Sequence, residues 1–379
     1  MLFSDVVGQS DAKSGLVGMW NANTLPHAIL ILGAEGTGGL PLGIALAQYI
    51  FCENRSATDA CGVCPSCSKV ARLEHADLHL SFPSIRPDTK KKAMSRHYLP
   101  EFREFVKQTP YGTTFEWLQH IDAENKQGNI TSEECREIID VLNLKTYEGR
   151  SKVLLMWRPE YLGKEGNILL KLIEEPPNNT FLIFIAEQAE EILATIKSRT
   201  QTIRLAPIAV RDIAMALKLR AGADDVLATQ VAHLAAGNYN EALKLLRSAD
   251  NDLFPAVRNL FNSLFTNKGV ELAKFVEEWS KQGREQQKNL LAYMMHLLGF
   301  AIRVRFMGDA DIQLPEPEAK FVVKLSTTKV ATEHLHAMVH DISETIYFIE
   351  RNSHAKTQLH ALMIRMHHAV TGTPVPMNA

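Results

Sequence analysis

The stretch ILILGAEGTGGLPLG, residues 29–43, decides how the chain is read. Ile29 to Leu32 have the composition of a buried strand, glycines follow at 33, 36, 38 and 39, and a helical pattern then begins. A phosphate-binding loop has this order, because glycine lets backbone N–H groups turn toward phosphate oxygens at a helix start. Its working form is G-x-x-x-x-G-K-[ST], with Lys on the β/γ-phosphates and the hydroxyl on magnesium. Gly33 and Gly38 have the required separation, but Gly39 stands in the Lys position and Leu40 in the Ser/Thr position. Pro41 then removes a backbone donor from the helix start. The loop Gly33, Gly36, Gly38, Gly39, Leu40 and Pro41 is therefore expected not to bind ATP tightly. A glycine turn unrelated to phosphate would lack the Lys equally well, so the loop alone leaves both readings open.

Hydrolysis would also need a carboxylate at the end of a neighbouring buried strand, to hold magnesium and position water. The candidate strand, VLLMW (153–157), is followed by Arg158, Pro159 and Glu160 with no Asp-Glu pair. Glu160 comes late and after a proline, a poor place for that role.

Further apolar runs alternate with helical patterns over the first two hundred residues: AILIL (28–32), HADLHLSFP (75–83), FLIFIA (181–186) and QTIRL (201–205). Short buried strands separated by helices predict an α/β fold with a mainly parallel sheet. Thr131 with Glu134 three residues on predicts a helix start near Ile130. After Pro207 the strand signals stop; short amphipathic helices close near Gly237, and a break at SADNDLFP (248–255) precedes a wholly helical remainder. The histidines there, among them His334, His336, His340, His360, His367 and His368, lie among Met338, Met363 and Met366 and read as packing or surface side chains.

Cys52, Cys61, Cys64 and Cys67 fall within sixteen residues as C-x8-C-x2-C-x2-C, whereas Cys135 stands alone. Thiols this close in a reducing compartment predict a tetrahedral thiolate shell for zinc. Four protein ligands leave no open position, so the zinc would be structural. A net charge of −2 gives no general drive toward nucleic acid. Lys90, Lys91 and Lys92, with Arg86 and Arg96, form a local basic run that could meet a phosphate backbone or be plain solvated loop. MLFSDVVGQS has no signal-peptide pattern and no apolar run reaches bilayer length, so a cytoplasmic protein without a membrane partner is expected.

Taken in order, FSDVVGQSDAKSGL, LPHAILILGAEGTGG, the four-cysteine module, HADLHLSFP, KVLLMWRPEYL, NILLKLIEEPPNNTFLIFIA and TIKSRT resemble the clamp-loader branch of the AAA+ ATPases, over about residues 2–250. The resemblance implies a RecA-like core at 1–207 with the zinc module at 52–67 inserted after its first helix. A small helical lid at 208–250 and a helical collar for oligomerisation at 251–379 would follow. The polar segment at 84–129 is longer than the family pattern accounts for. Motor subunits of that branch keep both nucleotide motifs, whereas other members lose them and retain a Ser-Arg-Cys element, here Ser198-Arg199-Thr200.

By the same resemblance Arg199 would reach the ATP site of a neighbouring motor subunit, where a planar cation offsets charge spreading over the γ-phosphate oxygens. Asn240 stands where a second-sensor arginine would touch nucleotide in cis. The implied partners are gamma/tau-type and delta-type clamp-loader subunits, and through them a sliding clamp and primed DNA. Glu174 and Glu175, closing a helix before Pro176, are assigned no chemistry. An AAA+ ATPase with an unconventional loop, and a zinc-containing DNA-binding protein, are the competing readings. Binding of magnesium-ATP, or of DNA, by the purified chain separates them.

Overall fold

The computed structural model describes residues 1–87, 92–123, 126–248, 253–308, 314, 316–350 and 353–371. These form two compact units, one of residues 1–222 with 235–242, the other of residues 223–234 with the chain from 243 onward. Among the described residues no helix is long and apolar enough to cross a membrane.

The first unit is built on five parallel strands: β1 (Ala28–Leu32), β2 (Leu78–Ser81), β3 (Lys152–Trp157), β4 (Thr180–Ala186) and β5 (Gln201–Arg204), in the order β2-β3-β4-β1-β5. All five expected strands are present. β1 and β3 are buried at every position, as their unbroken apolar runs require for a sheet covered on both faces. Alternation then sorts the side chains into two cores. Ile29, Ile31, Val153, Leu155, Trp157, Ile183 and Ile185 pack against the helix Gly39–Phe51. Leu30, Leu32, Leu154, Met156, Leu182 and Phe184 pack on the other side against Cys135, Ile138 and Leu142 of the helix Ser132–Asn143. Cys135 is therefore a core side chain.

Thr131 caps that helix, its hydroxyl accepting from Glu134 N at 3.3 Å, as the sequence predicts. The reciprocal half of the motif is diverted, because the buried Glu134 carboxylate accepts instead from Ser95 N at 2.8 Å. The loop before β3 is anchored by buried Asp77, whose carboxylate accepts from Tyr147 N, Glu148 N and Gly149 N at 2.6–2.9 Å.

The segment 84–129, read from sequence only as polar, contributes the helices Leu99–Gln108 and Thr114–His120. Phe102 stacks on Phe82 with centroids 3.9 Å apart, and Trp117 meets both edge-on at 5.2 Å. Trp117 Nε1 donates to Pro83 O at 2.7 Å, so its one polar atom is satisfied inside the core. Of the basic run, Lys90 and Lys91 lie outside the described residues, while Lys92 pairs with Glu133 and Arg96 with Glu137.

The second unit is helical. The helix Arg284–Met307 packs against Glu316–Ser326 and Thr332–Glu350, and Ala355–Thr371 packs on the last of these. Leu290, Leu297, Leu298, Leu335, Met338, Ile342, Leu362 and Met366 share its core, so Met338 and Met366 are packing residues. Arg305 ties down the turn between two helices, donating to Ser326 O, Thr328 O and Val330 O at 2.6–3.0 Å.

Candidate functional site

The glycine loop leaves β1 and enters the helix Gly39–Phe51 through Gly38 at φ +96°. Pro41 is the third residue of that helix, and the first ladder bond runs from Leu42 N to Gly38 O. The proline thus costs the helix nothing, since the first N–H groups of any helix lack internal partners. It does subtract one of the donors a phosphate would have met. Leu40 is buried in the core, where the family's hydroxyl would have faced magnesium.

What surrounds the loop is the chain itself. Gly36, at φ +71°, packs so closely beneath Asn238 that a Cβ would lie 1.7 Å from its Oδ1, and Gly36 O accepts from Tyr239 N at 3.0 Å. Tyr111 covers Gly38, meets Tyr239 edge-on at 4.9 Å, and accepts from Val7 N at 2.8 Å through its hydroxyl. Gln9 Nε2 donates to Thr37 O and Ala206 O. The cavity left between Gly33, Gly38, Pro41, Tyr111, Trp157 and Glu187 measures about 20 Å³. That is room for roughly one water molecule.

At the carboxylate position the structure places a cation. Arg158 follows β3 in a left-handed conformation, buried, paired with Glu187 and 3.7 Å from Glu160. Burial opposes its charge, yet the carboxylates, Glu187 first, outweigh this and lift its pKa. Glu160 accepts from Glu187 N at 2.6 Å and Gln188 N at 3.0 Å, a structural use. Asn240 donates to Glu116 at 2.8 Å. Asn238, two residues earlier, is the side chain at the loop. Sequence reading missed Tyr111 and Asn238; the turn residues of PYG (110–112) and GN (237–238) were the available signals.

Cys52, Cys61, Cys64 and Cys67 bring their sulfurs within 4.8 Å of one another. Four sulfurs each about 2.3 Å from one zinc ion would stand roughly 3.8 Å apart, and Cys61 and Cys67 are at 3.9 Å. Gly62 at φ +74° and Pro65 at the first turn of the helix Pro65–Ala71 turn the chain so that the sulfurs converge. The N–H groups of Cys61, Cys64 and Cys67 point at the sulfurs of Cys52, Cys61 and Cys64 at 3.2–3.4 Å. Such donors stabilise thiolate. Hydrogen bonds from Val63 N and Cys64 N pull the Cys61 thiol down to about 6, while burial pushes Cys52 and Cys67 up. The donor set and spacing fit a structural metal ion.

Arg199 follows the short helix Ala194–Lys197 and Ser198, just before β5. Its Nε donates to Glu174 Oε1 at 2.5 Å, and its Nη1 to Thr195 O at 3.0 Å and Ser198 Oγ at 3.2 Å. Thr200, where the family has Cys, donates to Ile196 O at 3.1 Å. Gln201 at the start of β5 pairs with Ile29, whereas the loop begins after Leu32. Arg199 is thus attached at the opposite end of the strands, roughly 13 Å along them from the glycines.

These features define an α/β protein with a five-stranded parallel sheet whose glycine loop is packed by its own chain. A family profile described as DNA polymerase III, delta subunit, matches residues 8–209, more than half the chain, and the chain belongs to that family. Among curated relatives, DNA polymerase III subunit delta' of Bacillus subtilis (strain 168) is 26% identical over 280 residues, 72% of this chain and 70% of that one. The delta' subunit of Escherichia coli (strain K12) is 26% identical over 193 residues, 51% of this chain and 46% of that one. Subunit tau of Escherichia coli is 24% identical over 212 residues, covering 56% and 26%. The chain therefore spans less than half of some relatives it matches. A solved DNA polymerase III gamma subunit-related protein from Thermotoga maritima aligns with TM-score 0.42 and 14% identity, covering 93% of this chain and 99% of that one.

Proposed function

We propose that this chain is a non-catalytic subunit of a clamp-loading assembly in a DNA polymerase III holoenzyme, working in the cytoplasm. It lends Arg199 to the ATP site of a neighbouring motor subunit of gamma/tau type while the assembly, with a delta-type subunit, places a sliding clamp on primed DNA. The observation that carries this reading is a division of geometry. The chain's own glycine loop is filled by Asn238, Tyr239 and Tyr111, while its Arg199 stands partly exposed at the far end of the strands. A guanidinium so placed cannot serve its own loop, and its permanent charge suits a partner's γ-phosphate. Zinc in the cysteine module, in this reading, holds the fold and takes no part in the chemistry.

Two measurements test it. Arg199→Ala in a reconstituted assembly is expected to lower DNA-stimulated ATP turnover at the site it serves by roughly 10³-fold, the low end for such fingers. Unchanged turnover removes the proposed role. The purified chain mixed with magnesium-ATP is expected to show neither tight binding nor hydrolysis; either would make it an ATPase in its own right.

A further inference from the structure

We propose that Glu174 is the positioning residue for the Arg199 guanidinium, fixing the direction in which it meets a triphosphate on another subunit; this rests on the reading of Arg199 given above. Glu174 ends the five-residue helix Leu170–Glu174, where a carboxylate opposes the helix dipole and gains nothing locally. Twenty-five residues separate it from Arg199, yet Nε and Oε1 are 2.5 Å apart. Thr195 O and Ser198 Oγ take Nη1, on the other flank of the guanidinium plane.

A guanidinium is a rigid plane, so holding Nε and Nη1 fixes where Nη2 points. Among the described residues Nη2 has no hydrogen-bond partner, and 34% of the Arg199 side chain is exposed. Nε and Nη1 are held by this chain, and Nη2, which lies between their two flanks, is left for another. An arginine otherwise brings many rotamers to an interface, and ordering them on arrival weakens the contact. Stability does not explain the pair, because Glu174 is 47% exposed and ion pairs that open to solvent contribute little.

The test uses the reconstituted assembly and compares kcat and KM for DNA-stimulated ATP hydrolysis. A displacement of about 1 Å at a reacting centre can cost roughly 10²-fold, and partial loss of direction is expected to cost about tenfold. Glu174→Ala should therefore lower kcat about tenfold with KM little changed, while Glu174→Gln, whose Oε1 still accepts from Nε, should stay within roughly twofold of the parent. In an Arg199→Ala background Glu174→Ala should have no further effect. A melting curve like the parent's shows that the Ala variant is folded.

If Arg199→Ala is slow but Glu174→Ala matches or exceeds the parent, the positioning role is overturned and the function proposed above stands. If Glu174→Ala is equally harmful without Arg199, it acts elsewhere and the inference fails. If Arg199→Ala itself changes nothing, the function proposed above falls and takes this inference with it.

Discussion

A methyl group on Gly36 would collide with Asn238, and the +71° φ there is costly for any residue with a Cβ. Asn238 cannot yield freely, because its Oδ1 accepts from Glu241 N at 3.0 Å and so caps the helix Tyr239–Ser248. Strain and lost cap together make Gly36→Ala destabilising by about 2–3 kcal/mol. A fall in the urea midpoint with an unchanged slope would show it; an unshifted midpoint would mean that the side chain does not sit over the loop. At this scale the sequence was informative about absence and silent about replacement. The missing Lys and hydroxyl are plain at Gly39 and Leu40. That Tyr111 and Asn238 fill the space could not be read, because they arrive from some seventy and two hundred residues away and carry no spacing relative to the glycines.

At the scale of elements, the strands were legible because burial on both faces demands unbroken apolar runs, and β1, β3 and β4 have them. The helices at 99–120 were not, because Phe102, Phe105, Val106, Trp117 and Leu118 turn inward from a stretch that is otherwise largely polar. The cysteine module was legible for a different reason: convergence of four sulfurs is local, set by Gly62, Pro65 and two-residue spacers. The purified chain is expected to carry one zinc ion per molecule by native mass spectrometry. Cys64→Ala should abolish it and lower the melting temperature by several degrees, because metal binding at such a site is folding free energy. Full stability after exhaustive chelation would contradict a structural metal.

Across the whole molecule, charge burial sets how the fold responds to acid. His296, in the helix Arg284–Met307, is held at about 3 by burial first, then by His233 and Arg303 nearby. In the unfolded chain it titrates near 6.5, so below that pH the unfolded state gains a proton that the folded state refuses. Its contribution is complete above pH 6.5 and drains away as pH falls toward 3. By pH 5 the loss is about 1–2 kcal/mol, the lower part of that range reflecting partial exposure. Urea titrations at pH 7 and pH 5 should show it, and His296→Gln should flatten that share of the difference. The Glu174 pairing, by contrast, was unreadable, since nothing in EEPP announces an arginine a helix and a strand away. The Gly36–Tyr239 bond has a last consequence. Tyr239 N holds the Gly36 carbonyl and Asn238 lies over Gly36, so the loop is expected to keep one conformation with or without nucleotide. Amide exchange at 235–242 should run at the same pace whether cells are fed or starved of energy.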